Sequence, residues 1–142
     1  KNANAQNATT PVGIKVLKAR EDLLKETTKL NKLKIKLSDL KEKVIDLEKD
    51  LQKANERSSK SAIESKELSV KASSNTGDKK LSNRASKEAK NAYKDAKKVQ
   101  KLTSRLNSDQ QKIKDYESDI EKLKAKIEKM DQQVKFIDTT AN

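Results

Sequence analysis

Residues 23–51 read LLKETTKLNKLKIKLSDLKEKVIDLEKDL. Leucine or valine returns at every seventh position, and a second leucine follows three of these residues at a distance of three positions. Most other places hold Lys, Glu or Asp, so the spacing is that of the a and d positions of a coiled coil. The a residues are Leu23, Leu30, Leu37, Val44 and Leu51, and the d residues are Leu33, Leu40 and Leu47.

The same heptad frame continues on both sides of one cluster of turn-forming residues. It covers residues 16–72 before the cluster and residues 81–137 after it, and its a and d positions together are called the seam. The cluster is the segment 73–78, SSNTGD, whose composition is typical of a turn. Within it, Gly77 can adopt a left-handed conformation and Asp78 can cap a following helix.

The predicted fold is all-α, a long antiparallel two-helix coiled-coil hairpin with a turn near residues 73–78. Thr10 suits the N-cap of the first helix, and Pro11 suits its first position. A parallel dimer of long helices that bend at the turn is the alternative. The predicted boundaries are a flexible tail at 1–10, a helical hairpin at 11–138 with helices at about 11–72 and 79–138, and a C-terminal tail at 139–142.

Folding at the turn places seam residues of the two helices opposite each other. Large residues then meet, as in the pair of Leu30 and Leu123. Some layers instead contain an acidic side chain, and in three of them we expect this side chain to reach water at little cost and to help fix the register. These layers pair Glu26 with Ile127, Asp95 with Ser58, and Asp109 with Val44.

The composition excludes several kinds of chemistry. Of 142 residues, 39% are charged and 2% aromatic, and none is Cys, His or Trp. The chain therefore has no thiolate nucleophile, no imidazole base and no zinc site of the usual kind. Its two glycines lie too far apart for a phosphate-binding loop, and no apolar run has the length of a membrane span. We predict that the protein is not an enzyme and has no catalytic, cofactor-binding or metal-binding residues.

The net charge of +12 is concentrated in the middle of the chain. Residues 52–105 carry 15 Lys/Arg and 6 Asp/Glu, a net charge of +9. Nine of these cations fall on the adjacent c, f and g positions of helix 2 and are called the basic stripe. They form either an electrostatic site for phosphates or an acidic protein, or a solvated face that keeps a long helix soluble. The basic stripe consists of Lys80, Arg84, Lys87, Lys90, Lys94, Lys97, Lys98, Lys101 and Arg105.

Helix 1 carries a second set of apolar residues that lies away from the seam. They occupy b and f positions, which face water in a free two-helix hairpin. Scattered exposed apolar residues are common, but seven on one side of one helix favour a docking face for another protein or for further copies of this chain. This outer face consists of Ile14, Leu17, Leu24, Ile35, Ile45, Ile63 and Val70.

The N-terminal residues bear on where the protein acts. Ala3-Asn4-Ala5 resembles the small-residue site at which a signal peptide is cut, and the chain would then begin just inside the end of a precursor. On this interpretation the protein is exported, and is periplasmic or associated with the outer envelope of a bacterium. The alternative is an ordinary polar tail on a cytoplasmic protein.

In size, charge and hairpin shape, the chain resembles the tentacles of the Skp-like periplasmic chaperones, which grip unfolded outer-membrane proteins. Those chaperones also have a β-stranded body at the ends of the hairpin. Here only residues 12–17 and 134–137 could supply such strands, and both fit the helical frame better. The shape is also similar to the tRNA-reading arm of seryl-tRNA synthetases. Both resemblances concern architecture, which does not determine function.

These observations predict a non-enzymatic structural or accessory subunit. It would dock a larger protein assembly, or further copies of itself, through helix faces, in a bacterial envelope. The competing prediction is an electrostatic binder of nucleic acid or of unfolded client proteins, in the manner of a Skp-like holdase, acting through the basic stripe. Nucleic acid is the less favoured partner, because such sites usually combine Arg forks with stacking rings.

Overall fold

The computed structural model describes residues 10–139 and the backbone of Thr140, and it contains two long helices packed against each other. Helix α1 is Pro11–Ser74 and helix α2 is Lys79–Thr140. No strand occurs in this part of the chain, and residues 12–17 and 134–137 are helical. The prediction of an all-α helical hairpin is confirmed. Of the predicted N-terminal tail, all but Thr10 lies outside the described residues.

The start of α1 is fixed by Thr10. The Thr10 Oγ1 atom accepts a hydrogen bond from the Gly13 amide at 3.0 Å, and the Thr10 carbonyl accepts one from the Ile14 amide at 2.9 Å. The first bond satisfies one of the amides that a helix N-terminus leaves without an intrahelical acceptor, and the second is the first bond of the regular helical pattern. Pro11 occupies the first helical position, where its missing amide hydrogen costs nothing. The predicted cap is confirmed.

The turn between the helices is closed by short-range hydrogen bonds. The Asp78 amide donates to the Asn75 carbonyl at 3.1 Å, and the Asp78 Oδ1 atom accepts from the Leu81 amide at 3.0 Å, which confirms Asp78 as the cap of α2. Gly77 does not adopt the left-handed conformation open to it, because its φ is not positive. The turn spans four residues and is closed by the hydrogen bond between Asn75 and Asp78. Because φ is negative at both central residues, Thr76 and Gly77, it is a type I turn.

The chain divides into two units, and each contains a segment of both helices. Unit 1 combines the described parts of Lys1–Leu40 and Lys112–Asn142, and unit 2 is Lys41–Gln111. In unit 1, Arg20 contacts Asp138 at 2.8 Å, and Glu26 contacts Lys126 at 3.4 Å. Residue numbers therefore rise along α1 as they fall along α2, so the two segments are antiparallel.

Unit 2 is antiparallel in the same sense. Lys43 contacts Asp109 at 3.6 Å, and Arg57 contacts Asp95 at 3.7 Å. The turn at residues 75–78 joins the two segments of unit 2 directly, and a chain that folds back at such a turn forms an antiparallel hairpin. A parallel arrangement of α1 and α2 is excluded in both units.

The buried residues are those of the heptad frame. Every a and d position at residues 16–72 and 81–137 is buried or half-buried. The buried apolar residues of unit 1 are Val16, Leu30, Ile120 and Val134, and those of unit 2 are Val44, Leu47, Ala54 and Ala85. Ser61 is also buried, and its hydroxyl donates to the Arg57 carbonyl at 3.0 Å, so the polar atom is satisfied within its own helix.

Candidate functional site

Two acidic seam residues of unit 2, Asp95 and Asp109, are each paired with a base on the opposite helix. The Arg57 Nε atom lies 3.7 Å from the Asp95 carboxylate, and the Lys43 Nζ atom lies 3.6 Å from Asp109. The side chain of Asp95 is 19% exposed and that of Asp109 only 7%. Asp109 Oδ2 is buried without a hydrogen bond. The expectation that the seam acids reach water is therefore wrong for Asp109.

In unit 1, Glu26 has two ammonium partners. Lys29 on the same helix lies 3.2 Å from the Glu26 Oε1 atom, and Lys126 of α2 lies 3.4 Å from it. The hydrogen bond from Lys29 lowers the pKa of the Glu26 carboxyl below its usual value. Partial burial opposes this effect, and the charge of Lys126 adds to it. Glu26 is consequently held as a carboxylate that binds the two helices together.

These three cross-helix bases share a position that the sequence analysis did not consider. Each occupies the g position directly before the a residue predicted to face the acid. A long basic side chain at g can reach across the seam, so the ammonium or guanidinium group meets the carboxylate from the flank. A search for a base at this position would have found all three pairs. They are Lys43 before Val44, Arg57 before Ser58, and Lys126 before Ile127.

The outer face of α1 is uncovered in both units. Its seven side chains are between 51% and 67% exposed. Ile14, Leu17, Leu24 and Ile35 belong to unit 1, and Ile45, Ile63 and Val70 belong to unit 2. Val12 is a further exposed aliphatic side chain near the start of α1 that the sequence analysis left out.

The basic stripe lies wholly in unit 2, and all nine of its side chains are exposed. None of the nine forms an ion pair within the described part of the chain. Between Lys79 and Arg105, α2 has two acidic residues, Glu88 and Asp95, and both occupy the seam. Neither acid forms an ion pair with a member of the basic stripe.

The two ends of the basic stripe differ in their surroundings. Near the turn, a shallow groove brings Arg84 and Lys87 close to Glu64, Glu67 and Glu88. These carboxylates weaken the positive potential at that end. Residues 90–105 carry six of the nine cations of the stripe, and the one acidic residue of α2 in this range is the seam residue Asp95, so this is the more strongly basic part of the stripe.

Tyr93 lies beside the basic stripe rather than within it. It occupies a b position, is exposed, and has the Lys97 Nζ atom 4.9 Å above the centre of its ring. A cation in this place interacts favourably with the ring. Lys97 therefore covers one face of the ring, and the b position places Tyr93 at the edge of the basic stripe and not within it.

Within unit 2, the apolar and basic features face away from each other. In an antiparallel two-stranded coil, the e positions of both helices line one flank and the g positions line the other. Ile45, Ile63 and Val70 occupy b and f positions, on the e side of α1. The basic stripe occupies c, f and g positions, on the g side of α2. One flat partner cannot cover both features at once.

Three further observations concern the kind of protein this is. Among the described residues, no group of three or more acidic side chains is arranged to hold a metal ion. No helix in that part of the chain combines the length and the apolar character needed to cross a membrane. No protein-family model, curated protein or solved structure matches the chain.

Proposed function

We propose that the protein is a non-enzymatic accessory subunit that docks a larger protein assembly through the outer face of α1. The observation that carries the proposal is the exposure of seven large aliphatic side chains on the side of one helix that faces away from the seam. Burial of apolar surface contributes about 25 cal/mol per Å². A partner that covers these side chains would gain on the order of 1 kcal/mol from each of them.

The asymmetry between the two helices supports docking rather than chance exposure. The exposed large apolar residues of α2 are Tyr93 and Phe136. Solubility alone places no apolar residues on one helix in preference to the other. A partner protein, or further copies of the chain, supplies a reason for the difference. Two further statements remain predictions: the protein is not an enzyme, and it acts in a bacterial envelope. The second rests on Ala3-Asn4-Ala5, which lies outside the described residues.

The experiment is affinity capture from native extract with two variants that test the units separately. One variant carries Leu17→Gln, Leu24→Gln and Ile35→Gln in unit 1, and the other carries Ile45→Gln, Ile63→Gln and Val70→Gln in unit 2. Since all six side chains are exposed, the helices should form as before, which circular dichroism checks. We expect at least one variant to lose a partner that the unchanged protein retains at high salt.

A matched control applies the same chemistry to α2. Tyr93→Gln with Phe136→Gln also removes exposed apolar surface, but from the other helix. This control should retain the partner. Loss of the partner in the control as well as in both α1 variants, or capture that vanishes with moderate salt in the unchanged protein, would contradict docking through the outer face.

The second candidate function is electrostatic binding of nucleic acid or of unfolded client proteins. The observation that favours it is the basic stripe, whose nine exposed cations form no ion pair within the described residues. Salt dependence separates the two functions, because binding through released counterions weakens steeply as salt rises and apolar docking does not. The α1 variants should leave an electrostatic binder unaffected.

A further inference from the structure

We infer that residues 90–105 of α2 form a binding surface for linear phosphate polymers, recognised through their charge and not through their bases. The surface lies away from the outer face of α1 in unit 2, so it is a site additional to the proposed docking function. Its six cations are Lys90, Lys94, Lys97, Lys98, Lys101 and Arg105.

The spacing of these cations suits an extended polyanion. They occur on adjacent c, f and g positions over about 22 Å of helix, at 1.5 Å per residue. The positions between them on the same face are filled by Asn91 and Ser104, which are uncharged. This row of exposed cations, without an acidic residue on the same face, can follow a chain of phosphates and release its condensed counterions.

The absence of apolar side chains within this surface favours a phosphate polymer over an acidic protein. Protein interfaces usually bury an apolar core and are depleted in lysine. The c, f and g positions of residues 90–105 hold Lys, Arg, Asn and Ser. They offer nothing apolar for a partner helix to cover.

The chemistry of the side chains also indicates that the bases are not read. Five of the six cations are lysines, which act as point charges without the directional fork of arginine. Tyr93 lies outside the surface and has Lys97 over its ring. Without a stacking platform or several Arg forks, recognition depends on the phosphates.

The test compares binding of four fluorescent polymers across a range of salt concentrations. The probes are duplex DNA, single-stranded DNA of the same length, inorganic polyphosphate and polyglutamate. Neutralising six phosphates on duplex DNA would give a slope of log Kobs against log salt of about −5, from about −0.9 for each contact. We expect the three phosphate polymers to bind at low salt, without dependence on DNA sequence, and polyglutamate to bind at least tenfold more weakly.

Two triple variants with the same change of charge locate the surface. Lys94→Gln, Lys98→Gln and Lys101→Gln should weaken duplex binding at least tenfold at low salt and make the slope shallower by about 3. Lys114→Gln, Lys122→Gln and Lys129→Gln alter exposed lysines of α2 in unit 1 and should change both quantities much less. Both variants should remain helical, because glutamine and lysine have similar helix propensities.

The outcomes divide clearly. If the protein binds DNA but not polyphosphate, the surface is supported and its ligand is nucleic acid. If the protein binds polyphosphate but not DNA, the surface is supported and its ligand is a phosphate polymer other than nucleic acid. Polyglutamate that binds as tightly as polyphosphate would overturn the assignment to phosphate. Equal loss in both triple variants, or no phosphate polymer bound at low salt, would overturn the surface itself. None of these results depends on docking through the outer face of α1.

Discussion

Asp109 is the ionisable seam residue with the least access to water. Its side chain is 7% exposed, and Oδ2 has no hydrogen bond. Its counter-ion, the Lys43 ammonium, lies 3.6 Å away and is itself largely solvated. Removing a carboxylate from water costs several kcal/mol, and a solvated partner at this distance returns only part of that cost. Asp109 therefore makes its seam layer less stable than an apolar residue would.

Replacing Asp109 by leucine should stabilise the protein. Leucine removes the buried charge and restores a large apolar d residue opposite the predicted partner Val44, so we expect the free energy of unfolding to rise by about 1–2 kcal/mol. Urea denaturation measures the change. In the matched variant Lys43→Gln, the carboxylate loses its counter-ion, and stability should fall by about 1 kcal/mol or more. A fall in stability for Asp109→Leu would show that the acid is net stabilising.

Glu26 should make stability depend on pH in the acid range. The hydrogen bond from Lys29 and the charge of Lys126 lower the pKa of Glu26 in the folded state. The carboxylate therefore stabilises the fold at pH values above the pKa that Glu26 has in the unfolded chain. This stabilisation is lost as the pH falls below the pKa of Glu26 in the unfolded chain and then below its pKa in the folded protein. The stability difference between the unchanged protein and Glu26→Gln should therefore be largest near neutral pH and shrink below about pH 4. A constant difference across this range would contradict the pairing.

At the scale of the elements, the turn is held by a cap more than by its glycine. Asp78 accepts the Leu81 amide, whereas a Cβ atom added to Gly77 would meet nothing within 4 Å, and the φ of Gly77 is not positive. We expect Asp78→Ala to cost about 1 kcal/mol of unfolding free energy. Gly77→Ala should stabilise the protein by about 0.5 kcal/mol, because it restricts the unfolded chain. Thermal unfolding would measure both, and a destabilised Gly77→Ala would contradict the type I turn.

The elements show why sequence predicts some features and misses others. The seam follows from periodicity, and the caps at Thr10 and Asp78 follow from side chains that act within three residues of themselves. The bases that pair with the seam acids lie at g positions beside the seam and not in the layer opposite each acid, so matching a residues with d residues alone missed Lys43 and its counterparts. The conformation of Gly77 depended on which hydrogen bonds closed the turn, which composition does not specify.

At the scale of the whole chain, periodicity also predicted which side chains stay uncovered. The outer face and the basic stripe were both identified from heptad positions, and every member is exposed. The binding partners of these surfaces could not be predicted, because exposure shows only that no other part of the chain covers a side chain. It does not show which molecule binds there. Asp109 shows a second limit, since burial at one layer depends on how its neighbours pack and not on the heptad letter.

One cross-linking measurement tests whether α1 pairs with α2 of the same chain. Leu30 and Leu123 belong to unit 1 and are predicted to share a seam layer. A variant with Leu30→Cys and Leu123→Cys, oxidised at low protein concentration, should form a disulfide within single chains. Leu30→Cys alone should stay uncross-linked. Disulfide-linked dimers from both variants, with no link inside single chains, would contradict the hairpin.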